Sequence, residues 1–137
     1  MAPTIVPQHR AGRGPAGVGT TVRPPHAARK ALTGCMTRRL TDEEIERQLG
    51  DLPDWVRDGN TIRASFEAPA FLTGIALVQE VAAAAENMDH HPDIDIRWRT
   101  VGFALSTHSE GGLTQLDVEL AHQISQEAAR QGAVATT

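Results

Sequence analysis

Few of the residues that cross-link, stack or span are present in this chain. Cys35 is its single cysteine, so no disulfide can close within it, and a reducing compartment would suit it. Tyrosine is missing and aromatics make up 4% of residues, which leaves no series of rings on which nucleic-acid bases could stack. No apolar run is long enough to cross a bilayer, and no compact hydrophobic segment follows the N-terminal basic residues as in a secretory signal. We therefore expect no membrane association and a cytoplasmic location. Acids are missing from residues 1–40, which hold seven of the 13 basic residues and none of the 17 acids. The remaining body is strongly acidic and repels phosphate backbones, so the folded part is not expected to bind nucleic acid.

The 137 residues suit one domain with a real core. Residues 1–37 are crowded with Gly, Pro, Ala, Arg and Thr and show no apolar period, so we read them as a disordered basic extension. An organellar transit peptide is another reading of that arginine-bearing segment, and Met36 is an alternative start. The domain proper is expected over residues 38–132, followed by a flexible tail at 133–137.

Local signals give the element order. Thr41-Asp42-Glu43-Glu44 has the form of a capping box opening a short helix faced by Ile45, Gln48, Leu49 and Leu52. Asp58-Gly59-Asn60 reads as the turn of a hairpin whose second arm alternates Ile62, Ala64 and Phe66 with polar residues. From Pro69 to about Met88 the period becomes helical, with Phe71, Ile75, Val78, Ala82 and Ala85 as the apolar stripe, widened by Leu72, Ala76 and Ala83. Pro92 biases His91 away from the helical region and ends this helix near Asp89. Ile94, Ile96 and Trp98 then predict a strand with one buried face, with Trp98 in the core. A second strand follows at Val101, Phe103 and Leu105, placing Ser106 and His108 away from that face. Thr114 caps a last helix with Asp117 at its third position, as a dipole-stabilising residue, and Leu113, Leu116, Leu120 and Ile124 inside. The order α-β-β-α-β-β-α implies an α+β fold, a four-stranded antiparallel sheet with three helices packed on one face.

The chemistry concentrates in Glu86-Asn87-Met88-Asp89-His90-His91-Pro92 and in Ser106-Thr107-His108. Three of the six histidines fall in this stretch, and histidine is the side chain that exchanges protons near neutral pH. One reading makes them ordinary polar loop and strand-end residues. A second gathers them around a metal, but adjacent residues of an extended chain point to opposite sides, and HExxH spacing is missing. The third is general acid/base catalysis without metal: imidazoles on either side of a turn and one from a nearby strand, with Glu86 or Asp89 to fix a tautomer. Cys35 lies in the extension, so no candidate nucleophile accompanies them, and elimination of water or isomerisation follows as the reaction class.

These residues resemble the pterin-4a-carbinolamine dehydratases. The resemblance runs over about residues 37–130, on Glu86-x-x-x-His90-His91-Pro92, Trp98, Leu105-Ser106-Thr107-His108 and Gly112-Leu113-Thr114-x-x-Asp117-x-x-Leu120-Ala121. It implies dehydration of 4a-hydroxytetrahydropterin to the quinonoid dihydropterin, recycling the cofactor of an aromatic amino-acid hydroxylase. It implies no metal or bound cofactor, and a homodimer or homotetramer. By the same resemblance His90, His91 and His108 are catalytic, Asp89, Ser106, Thr107 and Ser109 contact substrate, and Glu86 is a supporting carboxylate. A pterin-binding or partner-stabilising module without turnover is the alternative, as is proton-transfer chemistry on another heterocycle.

Overall fold

Local devices set several of the chain's turns, and three helices pack with a sheet. The order is α1 (Asp42–Leu49), β1 (Val56–Asp58), β2 (Thr61–Glu67), α2 (Phe71–Met88), β3 (Asp93–Arg97), β4 (Thr100–Leu105), α3 (Gln115–Arg130) and β5 (Val134–Thr136), in a computed structural model that describes residues 38–136. The expected basic extension, with Cys35 and Met36, lies outside the described residues.

At Thr41 the capping box forms as expected. The Thr41 hydroxyl accepts from Glu44 N–H at 3.2 Å, and the Glu44 carboxylate accepts from Thr41 N–H at 2.8 Å. Arg38 grips the same carboxylate through two nitrogens at 2.8 and 3.1 Å. That guanidinium, helped by the Thr41 amide, holds the Glu44 carboxyl down to about 2. The β1–β2 hairpin turns through Gly59, whose φ of +64° is one that glycine adopts without steric cost.

The sheet is antiparallel, in the order β1-β2-β4-β3. Strand β5 pairs with the second half of β2, Ser65 opposite Thr136 and Glu67 opposite Val134. Residues 134–136, expected as part of a flexible tail, thus complete the edge that the short β1 leaves open. On the inner face Ile62, Ala64 and Phe66 of β2 and Val101, Phe103 and Leu105 of β4 are buried with Leu77 and Val81 of α2 and Leu120, Ala121 and Ile124 of α3. Trp55 closes one end, its indole N–H donating to Ser125 Oγ at 2.8 Å. Gly74 lets α2 approach the sheet: a methyl group there would lie 3.3 Å from Val101 Cγ2.

Three expectations are corrected. The buried side of α2 is Gly74, Leu77, Val81 and Ala85, while Phe71, Leu72, Ala82 and Ala83 are exposed. This helix is apolar almost all round, so periodicity alone could not choose its face. Strand β3 has no buried face, because it is the outer strand beyond β4 and the helices do not cover Ile94 or Ile96. Trp98 is not in the core. It takes a left-handed conformation (φ +56°) in the turn to β4, is 71% exposed, and lies against the Arg99 guanidinium 4.6 Å from its ring centre.

Candidate active site

The site begins where α2 stops. Asp89 adopts a left-handed conformation (φ +52°, ψ +42°), which a short polar side chain tolerates better than most. Its N–H donates back to Glu86 O at 3.2 Å and that of His90 to Ala85 O at 3.0 Å, closing the helix before Pro92 is reached. The reversal sends the next two side chains opposite ways. His90 turns inward and is buried; His91 turns out and is exposed.

Inside, His90 Nε2 meets Asp117 Oδ1 at 2.6 Å. Asp117 is fully buried at the third position of α3, and its other oxygen accepts from Thr114 N–H at 2.9 Å and from the Thr107 hydroxyl at 2.7 Å. The Thr107 proton is committed to Asp117, so the 2.9 Å contact between the Thr107 and Thr114 hydroxyls is donated by Thr114. Both Asp117 oxygens, the Thr107 and Thr114 hydroxyls and His90 Nε2 are paired, as a low-dielectric setting requires. Outside, His91 Nε2 meets Glu86 Oε1 at the same 2.6 Å, but both side chains are more than half exposed.

The network ties the helix end to the loop after β4. Thr107 continues the buried series of Val101, Phe103 and Leu105, with Ser106 half-buried beside it. A 3-10 turn over His108–Glu110 follows, which ends the alternation, and leaves His108 and Ser109 exposed immediately beyond the buried Thr107. Backbone bonds between Thr107 and Gly112 in both directions close this loop. His90, Thr107 and the His108 turn are thus drawn together through Asp117, whereas His91, Glu86 and Asp89 occupy the outer side of the helix terminus. No three His, Cys, Asp or Glu side chains among the described residues are grouped to hold a metal ion. A shallow depression on the open face of the sheet, lined by Arg63, Ser65, Asp95, Gly102 and Ala104, contains none of the histidines.

Asp117 is the residue that the sequence reading undervalued. It was expected as a dipole-stabilising residue in the first turn of α3, and there it also completes the Thr114 capping box, its carboxylate accepting from Thr114 N–H. Its second role was visible in its spacing: Asp117, Leu120, Ala121 and Ile124 share one helical face, and that face is buried. A carboxylate on a buried stripe requires a partner.

Comparison with known proteins settles the family. Residues 38–127 match the model of the family described as pterin 4 alpha carbinolamine dehydratase. The chain belongs to that family. A Nocardia farcinica protein named "Putative pterin-4-alpha-carbinolamine dehydratase" is 58% identical over 90 residues, which are 66% of this chain and 95% of the relative. A Roseiflexus protein of the same name is 56% identical over 91 residues, 66% of this chain and 98% of the relative. Among solved structures, a Brucella melitensis protein described as a transcriptional coactivator/pterin dehydratase superposes with a TM-score of 0.64 at 34% identity, covering 66% of this chain and 99% of its own. The match takes in every residue of the His90–Asp117 network, and family membership supports pterin carbinolamine dehydratase activity. No helix among the described residues is long and apolar enough to cross a membrane.

Proposed function

We propose that the protein removes water from 4a-hydroxytetrahydropterin by histidine acid/base catalysis without a metal, with His90, His91 and His108 as the proton-transfer groups. The observation that carries this reading is the buried 2.6 Å contact between His90 and Asp117, set beside the loop that bears His108. Elimination breaks the bond between C4a and its hydroxyl oxygen, and needs a proton delivered to that oxygen and another removed from a ring nitrogen. Asp117, already accepting from Thr114 N–H and Thr107, holds the proton of His90 on Nε2, so Nδ1 is the nitrogen that exchanges protons with substrate. His108 acts from the exposed side, and Asp89, Ser106, Thr107 and Ser109 frame the ring. Glu86 orients His91 from the last turn of α2. In this role the protein regenerates a pterin used by an aromatic amino-acid hydroxylase, in the cytoplasm.

The exposed side of α2 supports a homodimer or homotetramer. Phe71 is 46% and Leu72 76% exposed, with Ile75 and Val78 only half-buried beside them, an apolar surface that a second copy would cover. The same surface supports a second reading, a partner-stabilising module, in keeping with the coactivator description of the Brucella protein.

The test is the rate of dehydration of 4a-hydroxytetrahydropterin, followed by ultraviolet absorbance above the spontaneous reaction. Acceleration that a chelator leaves unchanged is expected. A folded protein that gives no acceleration would sink the dehydratase reading and leave the binding module.

A further inference from the structure

We propose that Arg39 is a further substrate-binding residue, whose guanidinium holds an oxygen acceptor of the substrate at the rim of the His90–Asp117 site. The proposal deepens the dehydratase reading and rests on it for the substrate class.

Two registers place the Arg39 side chain. Arg39 pairs with Thr114 in an antiparallel bridge, and Leu40 N–H donates to Leu113 O at 2.8 Å, so Arg39 and Thr114 are a non-hydrogen-bonded pair with side chains on one face. Thr107 and Gly112 form the adjacent bridge with bonds in both directions, so a side chain at Gly112 would share the face of the Thr107 hydroxyl. That space is taken by Arg39: a methyl group on Gly112 would lie 2.7 Å from Arg39 Nε and 3.2 Å from its Cδ and Cζ. Gly112 does not have a positive φ, so its use is room rather than backbone freedom. The arginine therefore crosses the loop on the side where Thr107 and Thr114 meet Asp117.

Its charge is uncommitted. The neighbouring Arg38 is spent on Glu44, but the Arg39 guanidinium has no hydrogen bond or ion pair among the described residues, and the residue is exposed. Thr107 and Thr114 N–H already satisfy the inner oxygen of Asp117, so Arg39 is not needed there. A planar fork of donors at the edge of a proton-transfer site fits an oxygen acceptor on the ligand. On a pterin this is either the ring carbonyl or an acidic group on the ring substituent.

The experiment measures equilibrium binding of two stable oxidised pterins, one with a neutral and one with a carboxylate substituent, by quenching of pterin fluorescence. It uses the full chain and Arg39→Gln, Arg39→Lys and Gly112→Ala, with KM in the dehydration assay as a second readout. Arg39→Gln should weaken binding at least tenfold, Lys should restore it only in part, and Gly112→Ala, which displaces the arginine, should fall between. A loss confined to the carboxylate pterin assigns the anionic substituent; an equal loss for both assigns the ring carbonyl. Affinities and KM within twofold of the parent in folded Arg39→Gln and Gly112→Ala would overturn the proposal. So would a parent protein that binds neither pterin. Binding without turnover would sink the dehydratase reading alone, and the affinities would still decide the role of Arg39.

Discussion

His90 and His91 are neighbours in sequence, and each has a carboxylate oxygen 2.6 Å from Nε2. Their surroundings separate them. Asp117 is fully buried and accepts from two further donors, whereas the Glu86 side chain is 76% exposed. Identical distances thus describe interactions of different weight. A buried pair cannot lose one member cheaply, because the other is stranded away from water. An exposed pair loses little, because water replaces the missing partner. The inner side of the helix terminus accordingly fixes one imidazole in the interior, and the outer side presents the other to solvent.

The largest effect should follow Asp117→Ala. It strands His90, Thr107 and Thr114 N–H in the interior, and should cost about 3–5 kcal/mol in urea unfolding. A cost below about 1 kcal/mol would remove the contrast between the two sides. His108→Ala should lower kcat roughly 10²–10⁴-fold, the usual worth of a general acid or base. Because His108 is exposed, unfolding free energy should change by less than about 0.5 kcal/mol. Thr107→Val keeps the shape but removes the donor to Asp117, and should cost about 1–3 kcal/mol by the same unfolding measurement. Glu86→Gln, the outer counterpart, should cost less than about 1 kcal/mol.

The smallest effect concerns the other carboxylate pair, Arg38–Glu44. Its carboxyl lies below the ordinary 4.5, at about 2. A group depressed on folding stabilises above its unfolded value, and that contribution is lost as pH falls from about 4.5 towards 2. Thermal unfolding of Glu44→Gln across that window should show a shallower acid dependence than the parent. An identical profile would place the acid sensitivity elsewhere.

How much was legible in the sequence followed from the range of each interaction. Thr41 with Glu44, Gly59 in its hairpin and Thr114 with Asp117 are pairs or turns within four residues, and each formed as read. The histidine pair was rightly seen to divide across a turn, although the left-handed Asp89 stops the helix before Pro92 acts. Longer-range facts were out of reach. The partner of His90 is 27 residues away, so closeness in sequence pointed to Glu86 and Asp89 instead. The buried side of α2 depends on which neighbours cover it, and its sequence is apolar on nearly every side. Trp98 fitted the alternation of Ile94 and Ile96, and nothing local announced that the chain turns there with a positive φ on a tryptophan.

The claim that the inner pair governs the chemistry is tested most directly by comparing kcat/KM for Asp117→Asn and Glu86→Gln in the dehydration assay. Asn at 117 retains the volume but cannot hold the proton on His90 Nε2 as a carboxylate does. The account predicts a loss for Asp117→Asn at least ten times that for Glu86→Gln, with both proteins folded. Equal losses, or a larger one for Glu86→Gln, would contradict it and move the decisive imidazole to the outer side of the turn.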